Sequence, residues 1–176
     1  MNQLATSGIE NIYTQFSLSD GSLISCNFFD AGGSIRFRNT NESFYKKVDG
    51  CILVFDLTNQ ASFDDIKNYF IPKIKELCKV NIPVLLLGNK KDLEDLREIS
   101  FDEAYDLAIE NNYIYKEVSC LENYKLKEIF EDIIERTKDN LGSINHYANN
   151  DTIVLQINDN NDNNLSNRSH SCRRCC

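Results

Sequence analysis

Short apolar runs alternating with longer amphipathic stretches constrain the fold of this chain more than any other feature. Cys51–Asp56, Val84–Leu87 and Tyr113–Val118 are apolar runs of strand length, while Ser62–Cys78, Phe101–Asn111 and Tyr124–Lys138 carry apolar residues at helical spacing. In the last of these, Leu126, Ile129, Phe130, Ile133 and Ile134 fall on one face. Such alternation predicts an α/β domain, a mostly parallel sheet with helices on both sides. Upstream, Thr14–Leu18 and Leu23–Phe29 flank Ser19-Asp20-Gly21-Ser22, and the Asp-Gly pair predicts a hairpin turn.

The 176 residues support one domain, and 41% hydrophobic with 26% charged residues is ordinary for a soluble globular protein. A net charge of -8 opposes nucleic-acid binding, which needs a basic surface to displace phosphate counterions, and points to proteins or membranes as partners. No stretch reads as a signal peptide or spans a bilayer, so a cytosolic chain is expected. Cys26, Cys51, Cys78 and Cys120 stand singly in apolar or mixed segments and read as reduced, buried thiols.

Chemistry enters at Asn89-Lys90-Lys91-Asp92-Leu93, directly after the apolar run Ile82–Gly88. A buried strand ending there lifts these side chains to the carboxyl edge of the sheet, where open α/β sheets bind ligands. Asp92 can accept two hydrogen bonds, from N1–H and the exocyclic amine of guanine, a pairing adenine does not offer. Asn89 can tether the loop, and Lys90 can lay its stem along the base.

Two further segments sharpen the reading. Phe29-Asp30-Ala31-Gly32-Gly33-Ser34-Ile35-Arg36-Phe37-Arg38 resembles the Trp-Asp-Thr-Ala-Gly-Gln-Glu-Arg-Phe-Arg segment of small GTPases, and Asp49–Asp65 looks like the next strand and helix start of that family. From about Thr6 to Lys138 the chain resembles the Rab branch of the Ras superfamily. The resemblance implies a Rab-like P-loop NTPase G domain that binds GTP or GDP with Mg2+. It implies that Asp30 holds Mg2+ through a water, that the Gly33 amide meets the γ-phosphate, and that Thr6 coordinates Mg2+ from the first switch loop. Asn89, Lys90 and Asp92 then read the base, and Ser119 with the Cys120 amide corresponds to the element that meets guanine O6.

The sequence departs from that pattern at named places. Ser34 stands at the position of the glutamine that orients the attacking water, and its short side chain does not reach as far. Leu121 replaces a lysine beside Cys120. Nothing matches Gly-x-x-x-x-Gly-Lys-Ser/Thr, so the first strand, phosphate loop and first helix would lie before residue 1. Because that strand belongs between Leu23–Phe29 and Cys51–Asp56, its loss is expected to leave two unpaired edges and a chain marginal on its own.

The expected organisation is a partial G domain over 1–139, a flexible Asn/Asp/Ser-rich tether over 140–171, and a lipidation motif over 172–176. One apolar island, Ile153–Ile157, interrupts the tether and could add a strand. The ending Ser171-Cys172-Arg173-Arg174-Cys175-Cys176 resembles the double-cysteine signal of Rab proteins. It implies geranylgeranyl groups on Cys175 and Cys176, with Arg168, Arg173 and Arg174 attracted to anionic lipid. The rival reading, Cys172, Cys175 and Cys176 with His170 as zinc ligands, calls for a longer framework.

The resemblance thus implies a membrane-anchored regulator of vesicle transport on the cytoplasmic face, cytosolic if unprenylated. Its partners would be a Rab escort protein, a GDP-dissociation inhibitor and Rab effectors, with no nucleic acid. Alternatives are a Rab-like binding module without turnover, using the segment around Arg36–Val48 to hold a partner, or the product of a decayed or incompletely assembled gene.

Overall fold

The structure is a computed structural model and describes residues 9–32, 38–78, 81–122, 125–143 and 152–159. Its elements are β1 (Ile9–Ser17), β2 (Leu23–Gly32), α1 (Arg38–Tyr45), β3 (Gly50–Asp56), α2 (Gln60–Asp65), α3 (Ile71–Leu77), β4 (Val84–Asn89), α4 (Phe101–Glu110), β5 (Ile114–Glu117), α5 (Leu126–Ser143) and β6 (Thr152–Asp159). They build one six-stranded sheet in the order β1-β2-β6-β3-β4-β5. β1 and β2 pair antiparallel and every other neighbouring pair is parallel.

Alternation along the strands divides the core as the sequence pattern predicts. Ile52 and Val54 of β3 pack with Leu85, Leu87 and the α5 residues Ile129, Ile133 and Ile134. Cys51, Leu53 and Phe55 face the opposite way, toward Phe63, Ile66, Phe70 and Ile74 from the α2–α3 segment and Ala104 and Ala108 of α4. Every residue of β3 and β4 is buried, which explains their continuous apolar character. Burial pushes the Cys26 thiol up to about 11 and the Cys78 thiol up to about 12, so both stay uncharged at neutral pH.

The hairpin forms at Asp20-Gly21, with Gly21 at φ +81°, a region glycine enters without steric cost. Ser22 N donates to Asp20 Oδ1 at 2.8 Å. The tip is fastened to α5, where Ser19 Oγ donates to Glu135 Oε1 at 2.6 Å and Lys138 Nζ to Asp20 Oδ2 at 2.7 Å. That ammonium holds the Asp20 carboxyl well below the usual carboxylate range.

The helix predicted over 62–78 is interrupted. After α2, capped by Asn59 Oδ1 accepting from Ser62 N, residues Ile66–Phe70 form a π-helical turn in which Ile71 N donates to Ile66 O. Pro72 explains the widening, because it has no N–H to give and its ring would strike the carbonyl four residues back in a regular helix.

The main correction concerns the tail. Residues 152–159 are not tether but β6, parallel to β2 from Ser25↔Thr152 to Gly32↔Asp159 and to β3 from Gly50↔Leu155 to Val54↔Asp159. The slot expected to stand empty is therefore filled by the apolar island, and neither β2 nor β3 is left with an open edge there. A strand entering between two others completes both ladders at once, satisfying backbone groups that would otherwise be stranded in the core. That gain offsets the ordering entropy that makes the same residues a tether when weighed by composition alone. Leu155 is fully buried among Phe28, Ile52 and Ile133. Gly50 makes room for it, since a Cβ at Gly50 would lie 2.7 Å from Leu155 Cδ2 and 2.8 Å from Thr137 Oγ1.

Candidate functional site

β4 delivers Asn89 to the carboxyl edge of the sheet, where its buried side chain stitches two loops together. Asn89 Oδ1 accepts from Lys90 N at 2.7 Å and from Cys120 N at 3.2 Å. Val118 N donates to Gly88 O at 2.8 Å and Lys91 N to Val118 O at 3.0 Å, so the segments 88–92 and 117–120 form one unit. Lys90 adopts the left-handed conformation, φ 66°, which turns the chain sharply into a 3-10 turn over Lys91–Leu96.

Within this unit Ser119 Oγ donates to Asp92 Oδ1 at 2.5 Å and accepts from Glu122 N at 3.2 Å. The contact fixes the Asp92 carboxylate in position, and Ser119 itself is buried. A carboxylate so held, beside a tethering asparagine, is a preorganised acceptor for adjacent N–H groups on a planar ligand.

The neighbouring cations are committed to other carboxylates. Lys90 Nζ pairs with Asp56 Oδ2, while Asp56 Oδ1 accepts from Thr58 N at 2.9 Å and Thr58 Oγ1 at 2.7 Å. Lys91 Nζ lies 3.3 Å from Glu117 Oε2. Arg97 forms a fork with Glu117, two contacts of 2.9 Å, and a second fork with Glu94, two contacts of 2.8 Å. Tyr115 OH also donates to Glu117 Oε1, at 2.7 Å. Burial acts to raise the Glu117 pKa, but Arg97 and Tyr115 outweigh it and hold the group below the ordinary range.

Of the residues singled out from sequence, Asn89, Lys90, Asp92, Ser119 and Cys120 come together here. The Lys90 ammonium ties the loop to the end of β3. Asp30 stands apart on β2, in register with Ile157, with β6 and β3 between it and β4. Thr6, Gly33, Ser34, Cys175 and Cys176 lie outside the described residues. Two contributors escape a sequence reading. Asp56 is signalled only by an acid ending an apolar run, and of the two partners of Arg97 only Glu94, three residues back, is local, Glu117 lying 20 residues on.

A model of the Ras family matches residues 1–139. The chain belongs to that family. It is 32% identical over 130 residues to the GTP-binding protein ypt3 of Schizosaccharomyces pombe, covering 74% of this chain and 60% of that protein. It is 33% identical over 131 residues to the Ras-related protein RABA6a of Arabidopsis thaliana, covering 74% and 55%. With the Ras-related protein Rab-1 of Theileria parva it shares 35% identity over 120 residues, 68% of this chain and 54% of that protein. These relatives make it a Rab-type member, and the chain spans less than two thirds of the length of each.

The family implies GTP or GDP with Mg2+. Asp92, held by Ser119, suits the donors of a guanine base, while the Cys120 N–H is given to Asn89 Oδ1. Of the residues that the resemblance assigns to phosphate and Mg2+, Thr6 and Gly33 lie outside the described residues and Asp30 stands on β2.

Proposed function

We propose that this Rab-type chain is a guanine-recognising binding module of intracellular vesicle transport, held at the cytoplasmic face of a membrane by lipid on Cys175 and Cys176. The observation that carries the reading is the Ser119–Asp92 contact at 2.5 Å, supported by the Asn89 tether to Cys120 N. It presents a carboxylate oriented for guanine N1–H and the exocyclic amine. Adenine offers an acceptor where guanine has N1–H, and would face the carboxylate with a lone pair. The resemblance places Ser34 where a water-orienting glutamine is required, so the module binds without efficient turnover. Escort protein, GDP-dissociation inhibitor and effectors are the partners that Rab-type membership suggests.

Asp92→Asn tests the base reading. The amide turns one acceptor into a donor opposed to a donor, so the preference for guanosine over adenosine should fall by roughly 10- to 100-fold, as expected for losing a charged hydrogen bond. Competition titration with a fluorescent guanosine derivative measures it, and an unchanged preference would sink the reading.

The membrane claim has its own test. Among the described residues no helix is long and apolar enough to cross a membrane, and the proposed attachment is lipid. A Cys175→Ser, Cys176→Ser double variant expressed in cells should lose both the added prenyl mass and membrane sedimentation. Membrane-bound protein carrying no added mass refutes lipid attachment.

A further inference from the structure

α4 departs from the pattern of a surface helix in a way that neither the fold nor the guanine site uses. Its inner face is Ala104 and Ala108, both buried in the cluster that holds Leu53 and Phe55 of β3. A helix packed by one face ordinarily turns polar residues outward. α4 instead carries a second apolar row, Phe101, Tyr105 and Ile109, spaced four apart on successive turns. These side chains are 52%, 46% and 60% exposed. They run on to the outer strand of the sheet, since the Phe101 and Tyr105 rings stack with centres 5.7 Å apart and Phe101 lies 5.3 Å from the ring of Tyr115 on β5. Beside this row stands an acidic one at the same spacing, Asp102, Asp106 and Glu110, each one residue on from an apolar member. All three acids are exposed, and none makes an ion pair or a side-chain hydrogen bond among the described residues. α4 contains no lysine or arginine, and the cation that reaches it, Lys67, lies 3.8 Å from Glu103, which belongs to neither row.

We propose that this face of α4 docks a basic amphipathic helix of a partner protein, with apolar residues laid on Phe101, Tyr105 and Ile109 and lysines or arginines against Asp102, Asp106 and Glu110. Charge decides the occupant. Adjacent apolar and anionic rows of one spacing are matched by a helix that carries apolar and cationic residues in adjacent rows of that spacing. A lipid surface would meet the apolar row, but the acids beside it oppose anionic headgroups. A second copy of the same face would set acid against acid. The surface lies on a different element from the base-reading loops, so the proposal stands or falls independently of the guanine reading.

The probe is a fluorescent peptide of about 15 residues, long enough to form a helix, with a row of leucines at four-residue spacing beside a row of lysines. Titrated with the full chain and followed by anisotropy, it should bind, and bind more weakly as salt is added. Tyr105→Ser with Ile109→Ser should weaken it by about tenfold or more. Asp102→Asn, Asp106→Asn and Glu110→Gln together should weaken it several-fold and remove most of the salt dependence, without touching the apolar row. No binding, equal binding of a peptide with the same residues in scrambled order, equal binding when glutamate replaces the lysines, or an affinity unchanged in either variant overturns the proposal. If the chain instead sediments with phosphatidylcholine vesicles, or forms a dimer in sedimentation velocity, and loses that behaviour in the Tyr105→Ser, Ile109→Ser variant, the occupant is a lipid surface or a second copy and the proposal is equally overturned.

Discussion

Leu155→Ala should lower the unfolding free energy by about 2–5 kcal/mol, the range for emptying a leucine-sized space in a well-packed core. Leu155→Asp should leave the chain unfolded or aggregated, because a carboxylate would be placed at a fully buried position with no cation in the surrounding apolar cluster. These are large effects for a residue in a stretch that composition marks as linker. They follow from position: β6 is paired on both sides, and Leu155 stands in register with Phe28 and Gly50. Denaturant unfolding followed by circular dichroism measures the change. A midpoint for Leu155→Ala equal to that of the unaltered chain would show that residues 152–159 contribute nothing to the folded core.

Much of this architecture is legible in the sequence because its signals are local. The apolar runs at Cys51–Asp56 and Val84–Leu87 are strands at nearly the expected bounds, Asp20-Gly21 makes the expected turn, and the stripe Leu126, Ile129, Ile133, Ile134 is the buried face of α5. The tail fails for a physical reason. Whether Ile153–Ile157 orders depends less on its own apolar area than on two open strand edges more than a hundred residues away in the chain, and no window along the sequence contains both. Gly50 holds a faint trace of the answer, being a glycine opening a strand where a close neighbour must pass. At the site, Asn89, Asp92 and Ser119 are legible because their spacing carries a specific chemistry. Lys90 shows the limit of such a reading, since its pairing with Asp56 appears only once β3 and β4 are laid side by side.

Arg97 is the second position where one substitution should have a large effect, and its pH dependence identifies the cause. Arg97→Ala removes both forks and leaves Glu117, whose side chain is only 4% exposed, with Lys91 at 3.3 Å and the Tyr115 hydroxyl. Stranding one partner of a buried pair typically costs about 3–5 kcal/mol, and that loss is expected at neutral pH. The sign of the pH effect follows from Glu117. In the unaltered chain its folded pKa lies below the unfolded value of about 4.3, so its contribution is complete above that value and is lost as pH falls through the folded pKa. Without Arg97 the chief cause of lowering is gone and burial dominates, so the folded pKa rises above the unfolded one and protonation relieves the variant as the medium is acidified. The stability gap between the two proteins should therefore be widest near pH 7 and shrink toward pH 4, about where the Glu117 carboxylate is being neutralised. Because Arg97 also anchors the turn that follows Asp92, guanosine affinity should fall in the variant with its preference over adenosine retained. Urea unfolding across that pH range decides the matter, and a gap that stays constant with pH would mean that Arg97 stabilises the fold through packing of its stem, not through Glu117.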